Sequence, residues 1–194
     1  MHDKICEGFP VFSDNNSILS PLDSGIDSAT WLTLHVFVIT IGYGFALAAA
    51  VVANIYLVKL IFKRKTDACG IVAIERAALA AALVFGIAGT IAGGLWAEKA
   101  WGRFWGWDPK ENAALMLILW CAMALHALRG KAASETGFIK LCAATGLVLA
   151  WSWAGTNLLG SGLHSYGFTQ GGAWMLGLYT LLQILVLLAR KPRN

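Results

Sequence analysis

Apolar residues run along this chain in long blocks, with the polar residues gathered between them. Five blocks stand out: Trp31 to about Lys59, Ala77 to about Leu95, Ala113 to about Leu128, about Leu141 to Leu159, and Ala173 to Ala189. A helix crosses a bilayer with roughly 17–25 mainly apolar residues. The third block is short for that task, and the first is long enough to tilt or to extend beyond the bilayer. None alternates with the period of two expected of barrel strands, and only helices and closed barrels satisfy their own backbone in lipid. The pattern predicts an all-α fold, a polytopic membrane helix bundle of about five transmembrane helices. Residues 1–30 are polar and acidic and contain no apolar run of signal-peptide type. They are expected to form an external tail, followed by one transmembrane domain over residues 31–190 and a cytoplasmic tail over 191–194.

Composition narrows the class further. Of 194 residues, 58% are hydrophobic and only 13% charged, whereas a soluble domain carries about 25% charged residues. A soluble globular protein is excluded. The net charge of +4 would suggest nucleic acid only if the basic residues formed one patch. They lie between apolar blocks instead, so no nucleic-acid partner is expected, and the charges read as topology. Lys59, Lys63, Arg64, Lys65, Arg76, Arg129, Lys131, Lys140, Arg190, Lys191 and Arg193 fall on one set of alternating stretches. The other set holds only Lys4, Lys99, Arg103 and Lys110, with most of the acids. Because cytoplasmic loops retain Lys and Arg, the N-terminus is expected outside and the C-terminus in the cytoplasm. The four cysteines, Cys6, Cys69, Cys121 and Cys142, show no CxxC or CxxCH spacing. That excludes a disulfide framework, a thiolate metal site and covalent c-type haem on this chain.

Eight of nine tryptophans fall on the outer side of this topology, and only Trp120 lies within a span core. Interfacial belts form at both membrane surfaces, so a belt alone does not explain the crowding of Trp96, Trp101, Trp105 and Trp107. Trp101 and Trp105 are four apart, and a helical turn there would place both rings on one face. Gly102 and Gly106 would leave the space beside them empty, suiting a broad, flat, apolar ligand. Asp108-Pro109-Lys110-Glu111 is a capping box, so Asp108 is expected chiefly to cap the third span. His35, one turn into the first span, and His164, between the fourth and fifth spans, share the outer side with the tryptophans. Imidazole is a common axial ligand of haem iron, and a porphyrin is a flat apolar ligand. His126 lies near the inner end of the third span, before Arg129, as a functional or a snorkelling histidine.

Three stretches together resemble a known family: Trp101-Gly-Arg-Phe-Trp-Gly-Trp-Asp-Pro-Lys-Glu111, Leu125-His126 before a basic residue, and Asn157-Leu-Leu-Gly-Ser-Gly-Leu-His-Ser-Tyr-Gly167. They resemble the cytochrome c assembly proteins of the haem-handling superfamily, most of all the CcsA-type (ResC-type) branch of system II. Trp31-Leu-Thr-Leu-His-Val36 is similar to the segment carrying that family's first external histidine. The resemblance spans roughly residues 20–190. It implies that His35 and His164 are external axial ligands of haem b. It makes residues 96–112 the external WWD segment, with Trp96, Trp101, Trp105, Trp107 and Asp108 against the haem, and His126 the intramembrane histidine. It further implies delivery of haem to the CxxCH motif of apocytochrome c, as a component of a holocytochrome c synthase (haem lyase), beside a CcsB/ResB-type membrane partner. The expected setting is the bacterial cytoplasmic membrane, or a thylakoid membrane in a plastid, with the haem site outside. Family members carry additional N-terminal spans, so the chain reads as a short member or a fragment. Two rivals differ in class. A b-type cytochrome would stack haem ligands at two depths, and a scaffolding subunit would not need so many tryptophans in one connection.

Overall fold

Each of the first four helices begins at a side chain that accepts hydrogen bonds from otherwise orphaned backbone amides. The computed structural model describes residues 27–62, 67–159, 162–164 and 172–189. The expected tails over 1–26 and 190–194, and the basic run Lys63, Arg64 and Lys65, lie outside the described residues. Asp27 opens α1 (Ser28–Ile61) and accepts from the Thr30 amide at 2.7 Å. Asp67 opens α2 (Ala68–Trp101), accepting from the amides of Cys69 and Gly70. Asp108 opens α3 (Pro109–Arg129) in the expected capping box, and Ser134 opens α4 (Glu135–Trp153). A 3-10 turn over Gly155–Leu159 extends α4, and α5 covers Gly172–Leu188.

The spans agree in number and order with the apolar blocks; the first four run further, and the fifth matches its block to within one residue. α1 and α2 have 34 residues each, about 51 Å at 1.5 Å per residue. A hydrocarbon core is only about 30 Å thick. Among the described residues four helices are long and apolar enough to cross a membrane, counting α4 with its 3-10 extension, and α5 is a shorter apolar helix of 17 residues.

Packing is tight because small residues line the seams, as in membrane bundles generally. α1 lies against α2 where Gly42 meets Gly86, and where Gly89 abuts the Ile39 backbone. α4 packs on α1, α2 and α3, enclosing a core that includes Ala46, Ala53, Leu79, Phe138, Ile139 and Cys142. α5 is fastened from one side, where buried Gln183 donates to Asn54 at 3.0 Å. At one end of the bundle the Lys140 ammonium donates to the carbonyls of Leu187 (2.6 Å) and Ala189, satisfying the last turn of α5. Lys59 and Arg129 lie on the helix ends of that same side. At the opposite end, the start of α1, the end of α2, the start of α3 and the end of α4 part to leave a cavity.

Candidate functional site

The cavity, about 420 Å³, is walled by four separate stretches: α1 from His35 to Leu47, α2 from Thr90 to Ala97, residues 104–114, and Trp153 with His164. That volume lies in the range of small-molecule and cofactor sites, about 300–1,000 Å³. Its walls are mainly apolar, including Val36, Ile39, Phe104, Trp105 and Trp153, and besides the two histidines they carry the polar side chains of Thr40, Tyr43, Thr90, Lys110 and Glu111.

His35 and His164, far apart in the chain, both face this space. His35 Nδ1 lies 2.8 Å from the carbonyl oxygen of Gly89. A carbonyl only accepts, so Nδ1 carries the proton and Nε2 keeps its lone pair. The ring fits because position 93 is glycine: a Cβ there would sit 2.6 Å from His35 Nδ1. His164 Nδ1 lies 3.2 Å from Asp108 Oδ1, an electrostatic contact rather than an aligned hydrogen bond. The rings of Trp101 (centroid separation 5.0 Å, edge-on) and Trp96 (6.5 Å) hold His164 from its flanks.

Asp108 caps α3 as expected, accepting from the Lys110 amide at 2.8 Å, and its role extends beyond the cap. Its second oxygen accepts from the Leu163 amide at 2.7 Å, which anchors the segment bearing His164. Gly162 permits this approach, with φ +93° and the Asp108 carboxylate where a Cβ would stand. Burial opposes ionisation of Asp108, but the Lys110 amide, the His164 ring and the Leu163 amide together hold its carboxyl below the usual carboxylate range. Glu111 completes the box by accepting from the amides of Gly106 (2.8 Å) and Asp108 (3.1 Å).

The tryptophans divide their tasks differently from the expectation of two rings on one helical face. α2 ends at Trp101, and Gly102 turns the chain into the left-handed region at φ +71°. Trp101 therefore packs on Trp96 and His164, whereas Trp105 lines the cavity with Trp107 edge-on behind it. Trp107 is 71% exposed and holds an unusual φ of +55°, its carbonyl accepting from the Asn112 side chain. The space beside Gly102 is open, whereas that beside Gly106 is not. The Arg103 guanidinium occupies it, lying 5.9 Å above the Trp101 ring and 4.0 Å from Glu111. His126 stands apart, exposed near the far end of α3, and does not border the cavity.

Several cavity residues were not singled out from the sequence. Tyr43 lies two turns below His35 on α1, a spacing that places both on one face. It packs tilted against Trp153 at 6.3 Å. Thr90 contributes a buried hydroxyl that, among the described residues, has no hydrogen-bond partner. Lys110 and Trp153 come together only because α3 meets the end of α4, which no local pattern announces.

Residues 15–164 match the family model described as Cytochrome C assembly protein. The chain is 33% identical over 156 residues to a protein named cytochrome c biogenesis protein CcsA from Chlamydomonas reinhardtii, covering 77% of this chain and 44% of that one. It is 51% identical over 83 residues to the CcsA of Nostoc punctiforme, covering 41% of this chain and 23% of the relative. The CcsA of Guillardia theta is 33% identical over 176 residues, with coverage of 77% and 58%. The chain thus spans between about a quarter and somewhat over half the length of these relatives.

Proposed function

The chain belongs to the cytochrome C assembly protein family, and on that footing we propose that it holds haem in the cavity beside the tryptophan segment and presents it for attachment to apocytochrome c. One observation carries the reading: one mainly apolar cavity is bordered by two histidines, His35 with its Nδ1 hydrogen-bonded to the Gly89 carbonyl and His164 with its Nδ1 3.2 Å from the Asp108 carboxylate, an arrangement that would leave both Nε2 atoms for iron. Second partners of this kind fix tautomer and ring direction in metal-ligating histidines. The orphaned Thr90 hydroxyl supports the same reading, since a buried polar atom on a cavity wall is left for a polar group of the occupant.

In this reading haem is cargo, and its vinyl groups are the carbons to which the thiols of an apocytochrome CxxCH motif add. His35 and His164 hold the iron from the two sides, Trp105 and Phe104 supply apolar contact, and Trp101 keeps the His164 ring in place. The chain's contribution to that reaction is positioning. The bias of Lys and Arg towards the opposite end supports an outward-facing cavity; the setting of this reading is a bacterial cytoplasmic or thylakoid membrane, with a CcsB/ResB-type partner beside the chain. The electron-transfer reading receives less support, because His126 is exposed and unpaired with either cavity histidine.

The test is haem content and optical spectrum of the purified protein. His35→Ala and His164→Ala should each convert a six-coordinate, low-spin spectrum into a five-coordinate one, restored by added imidazole, while His126→Ala leaves that spectrum in place. Unchanged low-spin spectra in both cavity variants would remove haem ligation from this cavity.

A further inference from the structure

The two cavity histidines are backed by chemically different groups. Nδ1 of His35 meets a neutral backbone carbonyl, that of Gly89, at 2.8 Å. Nδ1 of His164 meets the carboxylate of Asp108 at 3.2 Å. That carboxylate is itself fixed by the amides of Lys110 and Leu163, and its residue is only 5% exposed. A carboxylate behind an imidazole makes it a stronger donor than a carbonyl does, because developing positive charge on the ring is stabilised more by a full negative charge. Trp101 and Trp96 add a second asymmetry, since they brace the His164 ring, whereas His35 is braced by the small residues of the α1–α2 seam.

We propose that Asp108 is a positioning residue that makes His164 the tight axial ligand and leaves His35 as the ligand displaced first. This rests on the haem reading above and adds an order to it. Cargo then leaves by opening on the α1 side while it remains held on the loop that carries His164. A site with equal ligands would have no preferred side for release.

The experiment uses the haem-loaded, detergent-solubilised protein and three readouts: haem affinity, reduction potential, and displacement of one axial ligand by added imidazole. His164→Ala should lower haem affinity about 10–100-fold more than His35→Ala, the span typical for disturbing a backed metal ligand. Asp108→Asn should raise the reduction potential and lower affinity in the direction of His164→Ala, and it should do nothing further in a protein that already lacks His164. Because Asn and Ser cap helices about as well as Asp, Asp108→Ser separates the charge from the cap: it should behave as Asp108→Asn does, at normal protein level and helix content. Equal affinities for the two histidine variants would overturn the ranking, as would wild-type potential and affinity in both Asp108 variants. If neither histidine variant alters the haem spectrum, the haem reading fails first and the ranking falls with it.

Discussion

Lys110 stands in the first turn of α3, yet its ammonium closes a different helix. It donates to the carbonyl of Trp153 at 2.5 Å and to the side chains of Thr156 and Asn157 at 3.1 Å. A cation at the end of α4 offsets the partial negative charge there and satisfies a carbonyl that the 3-10 turn leaves open. Lys110→Met keeps the stem and removes the charge. It should lower unfolding stability by about 2 kcal/mol, the scale of one well-placed charged hydrogen bond, and this is measurable by denaturant titration in detergent. Gly162→Ala tests a neighbouring residue without touching any polar group. At φ +93°, with the Asp108 carboxylate in the way, alanine should push Leu163 off its anchor. The outcome expected is loss of low-spin haem similar to that of His164→Ala, at unchanged helix content by circular dichroism.

The seam between α1 and α2 carries two glycines whose replacement should have opposite signatures. At Gly93 the added methyl would meet only the His35 ring, at 2.6–2.7 Å, so Gly93→Ala should spare the bundle and evict the ring. At Gly89 it would meet the Ile39 backbone at 2.8 Å, and backbone cannot turn aside. Gly89→Ala should cost roughly 1–3 kcal/mol through overpacking, read as a lower thermal midpoint, with a matching loss of folded protein. Both helices were legible in the sequence as apolar length, α1 to within three residues at each end, but the ends of α2 were not. Glu75 and Arg76 break the apolar run and made α2 appear to start at Ala77, although it begins nine residues earlier, at Ala68, behind the Asp67 cap. The capping box was legible because it rests on local spacing, whereas the placing of His35 and His164 on one side came from the charge pattern and the resemblance. The parting of Trp101 from Trp105 was foreshadowed only by Gly102, a common helix stop, and the meeting of Trp153, Lys110 and Tyr43 depends on which helices become neighbours.

For the molecule as a whole, the cationic ends gather opposite the cavity, and the uneven distribution of Lys and Arg sets the expected orientation. Reporter fusions within 129–134 should give a cytoplasmic signal and fusions within 102–107 an external one. The reverse result would put the cavity on the side away from an external apocytochrome. Further in the same vein, the cavity has no wall of its own: α1, α2, the tryptophan segment and the His164 loop each supply one side. An occupant therefore joins pieces of chain that are otherwise held together by packing and a few hydrogen bonds, such as those of Asp108 with the Leu163 amide and of His35 with the Gly89 carbonyl. By mass action, a ligand at 100 times its Kd adds about 2.7 kcal/mol to the folded state. Haem-free protein should accordingly be the form that proteases clear fastest, and limited proteolysis with and without haem should give visibly different half-lives. Cellular abundance of the chain would then follow haem supply with no dedicated sensor, because an empty molecule is also a short-lived one.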